Sequence, residues 1–150
     1  MALTSSQAAT LKAAVTSDAT VAGALSAHDW FSIAGNYNVP STNLIWRADV
    51  TPAQVQSAIA GSEAVKQSPQ QLQLAQLLLT SPFVDASNST VRAQFGAIFP
   101  ASSAGSTSAN LTTIAQRFST KFEQLFVTSQ VTTVYAYVLS PADVQNAMGF

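Results

Sequence analysis

The sequence predicts a mainly α fold, a single-domain helical bundle over residues 1–150 with a small β element, either a strand or a hairpin or arm. Three observations support this fold class. Helix-start signals recur along the chain, one long segment has apolar residues at helical spacing, and only two short segments are rich in β-branched and aromatic residues. A length of 150 residues is near the commonest domain size.

The helix starts follow one pattern. Segments 51–54, 68–71 and 140–143 each begin with a hydroxyl residue, continue with proline, and place Gln or Asp three residues after the hydroxyl. A hydroxyl caps the first free N–H groups, proline suits the first helical position, and the third side chain can reach back to the cap. The spacing of Leu3, Gln7, Leu11 and Val15 predicts a further helix from Thr4 to about Thr16.

Segment 108–127 has the strongest helical periodicity. Its apolar residues recur every three or four positions and form one broad stripe: Leu111, Ile114, Ala115, Phe118, Phe122, Leu125 and Phe126. The sequence therefore predicts one long helix packed on the domain's own core. A groove for a partner's helix is the alternative interpretation.

Two segments have the composition of strands. Residues 44–50 lie between a Pro/Ser/Thr/Asn stretch and a helix start, and residues 131–139 are β-branched and aromatic. We expect the two segments to pair, or the second to extend as an arm that completes a neighbour's sheet. In the second case Val134, Tyr135 and Tyr137 are interface residues, and Val134→Asp should block assembly while the isolated domain stays folded.

Charged residues are scarce. Lys and Arg number six and Asp and Glu seven, about a third of the usual proportion. A surface of Ser, Thr, Gln, Asn and Ala is covered by partners without desolvating many ions, which favours a subunit of an assembly. The net charge of −1 argues against a nucleic-acid-binding face, and no apolar run approaches a membrane span.

Residues for chemistry are equally few. One histidine, no cysteine and scattered acids predict no metal site, and no nucleotide-binding motif occurs, so no cofactor is expected. His28 and Asp29 are the one adjacent pair of a histidine and a carboxylate. A small hydrolase using this pair is a distant alternative, because no motif surrounds a serine nucleophile. We predict a protein that is not an enzyme.

Trp46, Arg47 and Arg92 are candidate interface residues. Trp and Arg are enriched among side chains that dominate binding energy. On a strand, Arg47 and Asp49 would share a face, so a local ion pair between them is the competing interpretation. Arg92 could pair with Asp85 or with a neighbouring subunit.

Several short motifs carry a family resemblance. They are the opening segment 3–14, segment 44–51, segment 91–99, segment 122–126 and the closing segment 142–147, in this order. Together they resemble a family of small tailed-bacteriophage proteins encoded among the head and tail structural genes. The resemblance implies a mainly helical adaptor that forms a ring of about twelve copies between portal and tail. It implies no catalytic residues.

The expected function is thus a structural subunit of the phage head-to-tail connector, located in the neck of the virion and assembled in the cytoplasm of the bacterial host. Its expected partners are copies of itself, the portal protein and tail or other neck proteins. No membrane and no specific nucleic-acid sequence is an expected partner, although DNA could pass through the ring. A tail-completion or tail-terminator protein and a head-decoration protein are the alternatives in the same class.

Overall fold

A computed structural model describes residues 3–150. It confirms the predicted fold class, which is mainly α with a small β element: 55% of the described residues are helical, against about a third in an average domain. The described residues form ten α-helices, one two-stranded sheet and one short hairpin.

The helices follow one another with short connections. They are α1 (Ser5–Ser17), α2 (Ala22–Ser26), α3 (Trp30–Tyr37), α4 (Pro52–Ala58), α5 (Gly61–Ala64), α6 (Pro69–Leu78), α7 (Ser89–Ile98), α8 (Thr107–Ala115), α9 (Lys121–Gln124) and α10 (Pro141–Met148). A 3-10 turn, Ala19–Val21, precedes α2. The strands are β1 (Pro40–Trp46), β2 (Gln116–Thr120), β3 (Val127–Thr128) and β4 (Val131–Thr132). β1 pairs with β2, and β3 pairs antiparallel with β4.

The chain divides into two compact units, each with its own apolar core. The first unit takes residues 3–43 and Phe118–Phe150. In it α1 and α3 both pack against α10. Its core is built from the buried side chains of Leu11, Val15, Ile33, Tyr37, Phe122, Leu139 and Val144, among others.

The second unit is the continuous segment Leu44–Arg117. In it α4 packs on α8 and α6 packs on α7. A bridge between Val50 and Val84 ties the start of this unit to the loop before α7. Its core contains Val50, Val55, Val84, Phe95, Ile98, Phe99 and Ala115.

The predicted helix starts are confirmed. Thr51, Ser68 and Ser140 each cap a helix whose first residue is proline, and each forms the reciprocal pair of bonds of a capping box. Thr4 forms the same box with Gln7 at the start of α1, which ends at Ser17, close to the predicted end. These starts were predictable because every partner lies within three residues.

The prediction of one helix over residues 108–127 is wrong. Helix α8 ends at Ala115, Gln116–Thr120 form strand β2, and a new helix begins at Lys121. Within the predicted stripe, Phe122 is buried but Phe118 is 58% exposed. The break is stabilised by pairing with β1 and by a capping box between Thr120 and Glu123. Long-range strand pairing thus outweighs local helical periodicity here.

The predicted pairing of segments 44–50 and 131–139 is also wrong. The first strand begins earlier, at Pro40, and its partner is β2. In the second segment only Val131 and Thr132 are in a strand, and they pair with Thr128 and Val127. Ser129 and Gln130, both with positive φ, form the two-residue turn of this hairpin. The remainder of the segment is an irregular loop held against the first unit's core.

Candidate functional site

Trp46 and Arg92, both proposed from the sequence, meet in the second unit. Trp46 ends β1, Arg92 lies in α7, and the centre of the guanidinium is 4.5 Å from the centre of the indole ring. A cation over an aromatic face at this distance is attracted by the ring's quadrupole. Each side chain is partly buried, so the pair forms a fixed part of the unit's surface.

The loop before α7 holds Arg92 in place. Its Nη1 group donates to the carbonyl oxygens of Ala86, at 2.6 Å, and Ser87, at 2.8 Å. The Asp85 carboxylate instead accepts from the backbone N–H and hydroxyl of Ser87. The predicted alternative of an Arg92–Asp85 pair is therefore replaced by bonds to the carbonyl groups that follow Asp85. The Nε–H and Nη2 groups of Arg92 have no acceptor among the described residues.

Trp46 and Arg92 line a cavity of about 100 Å³. The cavity opens to solvent, and its walls are mostly apolar, from Phe95, Leu111 and Ile114 among others. An engineered apolar cavity of about 150 Å³ takes up benzene. The cavity here has about two thirds of that volume, which is enough for part of a ring or for a small branched side chain. The site can therefore take an apolar group and present a guanidinium at its border.

Arg47 has a local structural role. Its Nε donates to the Asp49 carboxylate at 3.0 Å, which confirms the ion pair suggested by their spacing. Its Nη1 also donates to the Ile114 carbonyl at 3.3 Å, and its backbone N–H donates to Ala115 at 2.8 Å. The hydrogen bond from Arg47 holds the pKa of Asp49 below its ordinary value. These bonds join β1 to the end of α8.

The three candidates from segment 131–139 lie in the first unit. Val134 is buried in its core, so Val134→Asp would disturb folding before it tested assembly. Tyr135 is partly buried, and its hydroxyl is enclosed without a hydrogen-bond partner among the described residues. Burial and a hydrogen bond to Asp143 raise the pKa of Tyr137 to about 12. Val138, in the same segment, is a large apolar residue that is 76% exposed.

The structure gives His28 and Asp29 separate roles. The Asp29 carboxylate caps α3 by accepting from the backbone N–H of Ser32 at 3.1 Å and from its hydroxyl at 2.5 Å, which lowers the pKa of Asp29. The His28 ring stacks on Trp30 at 5.3 Å and contacts Phe150 at 4.7 Å. The pair is thus built into a helix cap and an aromatic cluster.

Glu123 is a buried acid that the sequence interpretation did not identify. Its side chain is fully buried, and its two carboxylate oxygens accept from the backbone N–H groups of Thr120, at 2.8 Å, and Ala136, at 2.9 Å. Ala136 has a positive φ, so Glu123 also fixes an unusual turn. The Thr120-x-x-Glu123 spacing of a capping box was the signal available in the sequence.

Apolar side chains are exposed on both units. On α6, Leu72, Leu74 and Leu77 are exposed, whereas Ala75 is the buried residue. Leu74 and Leu77 are three residues apart and share one helix face. Other exposed apolar side chains are those of Phe31, Val65, Phe83, Phe118, Val138 and Phe150.

Residues 3–150 contain no group of three or more His, Cys, Asp or Glu side chains placed to hold a metal ion. No helix in this range is both long and apolar enough to cross a membrane. Comparisons with protein-family models, curated proteins and solved structures find no match.

Proposed function

We propose that this protein is a non-enzymatic virion protein, a subunit of a ring in the head-to-tail connector of a tailed bacteriophage. The observation that carries the proposal is the combination of exposed large apolar side chains with a nearly uncharged surface. Such side chains favour contact with another protein. Because the surface carries few charges, such a contact removes few ions from water and has a low desolvation penalty. The family resemblance of the sequence selects the phage connector within this class.

Helix α6 illustrates the type of surface. Leu77 is 66% exposed, and the polar positions of the helix are glutamines rather than charged residues. An amide side chain loses less solvation than an ion when a partner covers it. We assign this face to contacts within the connector.

The first experiment is quantitative mass spectrometry of purified particles of the phage whose genome encodes the chain. It measures copies per particle relative to the major capsid protein. About a dozen copies are expected, because a closed ring has a small fixed number of subunits. Hundreds of copies would identify a decoration protein instead, and absence from the particle would refute a virion role.

A matched pair of variants links the surface to assembly. Leu77→Gln removes an exposed apolar side chain from α6 and should lower incorporation into particles while the free energy of unfolding stays within about 0.5 kcal/mol. Gln76→Ala, at an exposed polar position of the same helix, is the control. Equal incorporation of both variants would exclude Leu77 from the interface.

A further inference from the structure

The cavity beside Trp46 and Arg92 combines an apolar interior with a cation at its border. Its interior suits an apolar group, whereas the free N–H groups of Arg92 at its border suit a carboxylate. A complementary partner must therefore present a bulky apolar side chain close to an acidic one. The pairing of these two features is more restrictive than either alone.

Two segments of this chain meet that requirement. Among its seven acidic residues, only Asp29 and Asp85 stand two positions from an exposed phenylalanine. Asp29 precedes Phe31, which is 78% exposed, and Asp85 follows Phe83, which is 54% exposed. The Phe31 segment belongs to the first unit, and the Phe83 segment belongs to the second unit together with the cavity.

The Asp29–Phe31 segment is held ready for binding. Asp29 caps α3 through Ser32, and Trp30 stacks on His28 and contacts Phe150 with a tilted ring. Phe31 thus projects from a fixed helix start, and little conformational entropy is lost when its side chain is enclosed. The Asp29 carboxylate is exposed and, like an ordinary aspartate, is ionised at neutral pH.

We propose that Phe31 of one copy inserts into the Trp46–Arg92 cavity of the next copy, with Asp29 of the first placed against the Arg92 guanidinium. Phe31 and the cavity are different surfaces, so the contact is heterologous when each copy inserts its Phe31 into a different neighbour, which is the arrangement that a ring requires. A heterologous contact closes into a ring when its rotation allows. The inference rests on the proposed ring and names its subunit contact. Insertion of Phe83 would instead place a segment of one copy's second unit in the second unit of another copy.

The test uses single-cysteine variants, because the chain contains no cysteine of its own. Gly35→Cys and Gly96→Cys are mixed in equal amounts as full-length chains and treated with a short thiol crosslinker. Gly35 is exposed and lies one helical turn after Phe31, so Phe31 itself stays in place. Gly96 lines the cavity, and a Cβ added at either glycine meets no atom within 4 Å. Every crosslink formed joins two chains, since each chain has one thiol.

The expected main product is the mixed dimer of the Gly35→Cys and Gly96→Cys chains. It should exceed the mixed dimer that Val65→Cys, an exposed reference site, forms with Gly96→Cys by about tenfold or more. Equal yields from the two pairs would overturn the proposal. Preferential crosslinking of Gly96→Cys to itself, or to Ser81→Cys beside Phe83, would also overturn it, because the occupant would then be different.

Blocking the cavity gives an independent readout. Gly96→Leu fills the open space at the cavity and should abolish the crosslink between Gly35→Cys and a chain that carries Gly96→Leu and Thr112→Cys, a second cavity position. Ala97→Leu, on the same helix but outside the cavity, is the matched control and should leave the crosslink unchanged. Asp29→Asn keeps the helix cap but removes the charge, so it should weaken the crosslink most at low salt.

The particle measurement separates this inference from the proposed function. A dozen copies per particle together with unselective crosslinking would refute the contact between Phe31 and the cavity, whereas the proposed ring would stand. Absence from the particle together with selective crosslinking would refute the phage connector and leave a self-assembling protein.

Discussion

The Arg92 guanidinium lies 4.5 Å from the centre of the Trp46 ring, although the two residues are far apart in sequence. This contact connects the end of β1 to α7 at the border of the second unit's cavity. Trp46 and Arg92 were each selected from the sequence by residue type alone, and the structure brings them together in one site. There the Trp46 ring and two backbone carbonyl groups orient the Arg92 guanidinium.

The Trp46–Arg92 contact should contribute measurable stability. In a double-mutant cycle with Trp46→Leu and Arg92→Met, we expect a coupling of about 0.5–1 kcal/mol in the free energy of unfolding. Denaturation is followed by circular dichroism, since one mutation removes a fluorophore. The same cycle with Trp30→Leu in place of Trp46→Leu is the control, and equal coupling in both cycles would contradict a direct contact.

Glu123 should stabilise the first unit through its two hydrogen bonds. Glu123→Ala removes a fully buried carboxylate, leaves the N–H groups of Thr120 and Ala136 without their acceptor and should cost about 2–4 kcal/mol. Glu123→Gln keeps one acceptor oxygen and should cost less. Trp30 fluorescence reports on this unit when Trp46 is replaced by Phe, because the chain has two tryptophans and each unit contains one.

The exposed box at the start of α1 provides the comparison for Glu123. Gln7→Ala removes an acceptor of the Thr4 N–H at a solvent-exposed position and should cost about 0.5–1 kcal/mol. If Glu123→Ala cost no more than Gln7→Ala, burial would not determine the strength of these boxes.

Val134 and Val138 should differ in how much they contribute to the stability of the first unit. Val134→Asp places a carboxylate in the first unit's core and should lower the free energy of unfolding by about 3 kcal/mol or more. Val138→Asp changes an exposed side chain and should leave stability within about 0.5 kcal/mol. The measurement is denaturant unfolding of both variants, and a stable Val134→Asp protein would contradict the burial of this residue.

Alkaline pH should destabilise the first unit. Burial and the negative charge of Asp18 raise the pKa of Tyr37 to about 12, and Tyr137 is raised to about 12 as well, against 10.0 for an ordinary tyrosine. The folded state therefore binds these protons more tightly than the unfolded state. The resulting stability is fully present below about pH 10 and is lost as the pH rises towards about 12.

Denaturant midpoints measured at intervals above about pH 8 test this expectation, with tyrosinate absorbance recorded in parallel. Tyr37→Phe should reduce the alkaline loss of stability because one of the two raised groups is removed. A pH-independent midpoint across this range would show that the two hydroxyls are equally accessible in both states.

Local sequence was sufficient for the features whose partners lie within one turn. The boxes at Thr51, Ser68 and Ser140, and the ion pair between Arg47 and Asp49, need only side chains two or three residues apart. The mainly α class follows from the same signals. The Trp46, Arg47 and Arg92 positions were selected by residue type, but their different roles were not evident from type alone.

The three-dimensional structure decided everything that depends on distant partners. The Ser119 hydroxyl is hydrogen-bonded to Ser41, Asn43 and Gln124. These bonds hold the residues around Ser119 in a strand, although their sequence has helical periodicity. The Ala136 N–H donates to the Glu123 carboxylate across the β3–β4 hairpin. This bond holds the residues around Ala136 in a loop, although their composition is typical of a strand. Each of these bonds joins segments that must first close a chain loop, and local propensities of a few tenths of a kcal/mol per residue do not outweigh them. The sequence by itself therefore determined where α1, α4, α6 and α10 start and how few charges the chain carries. Tertiary packing determined where the predicted long helix breaks and which side chains line the cavity.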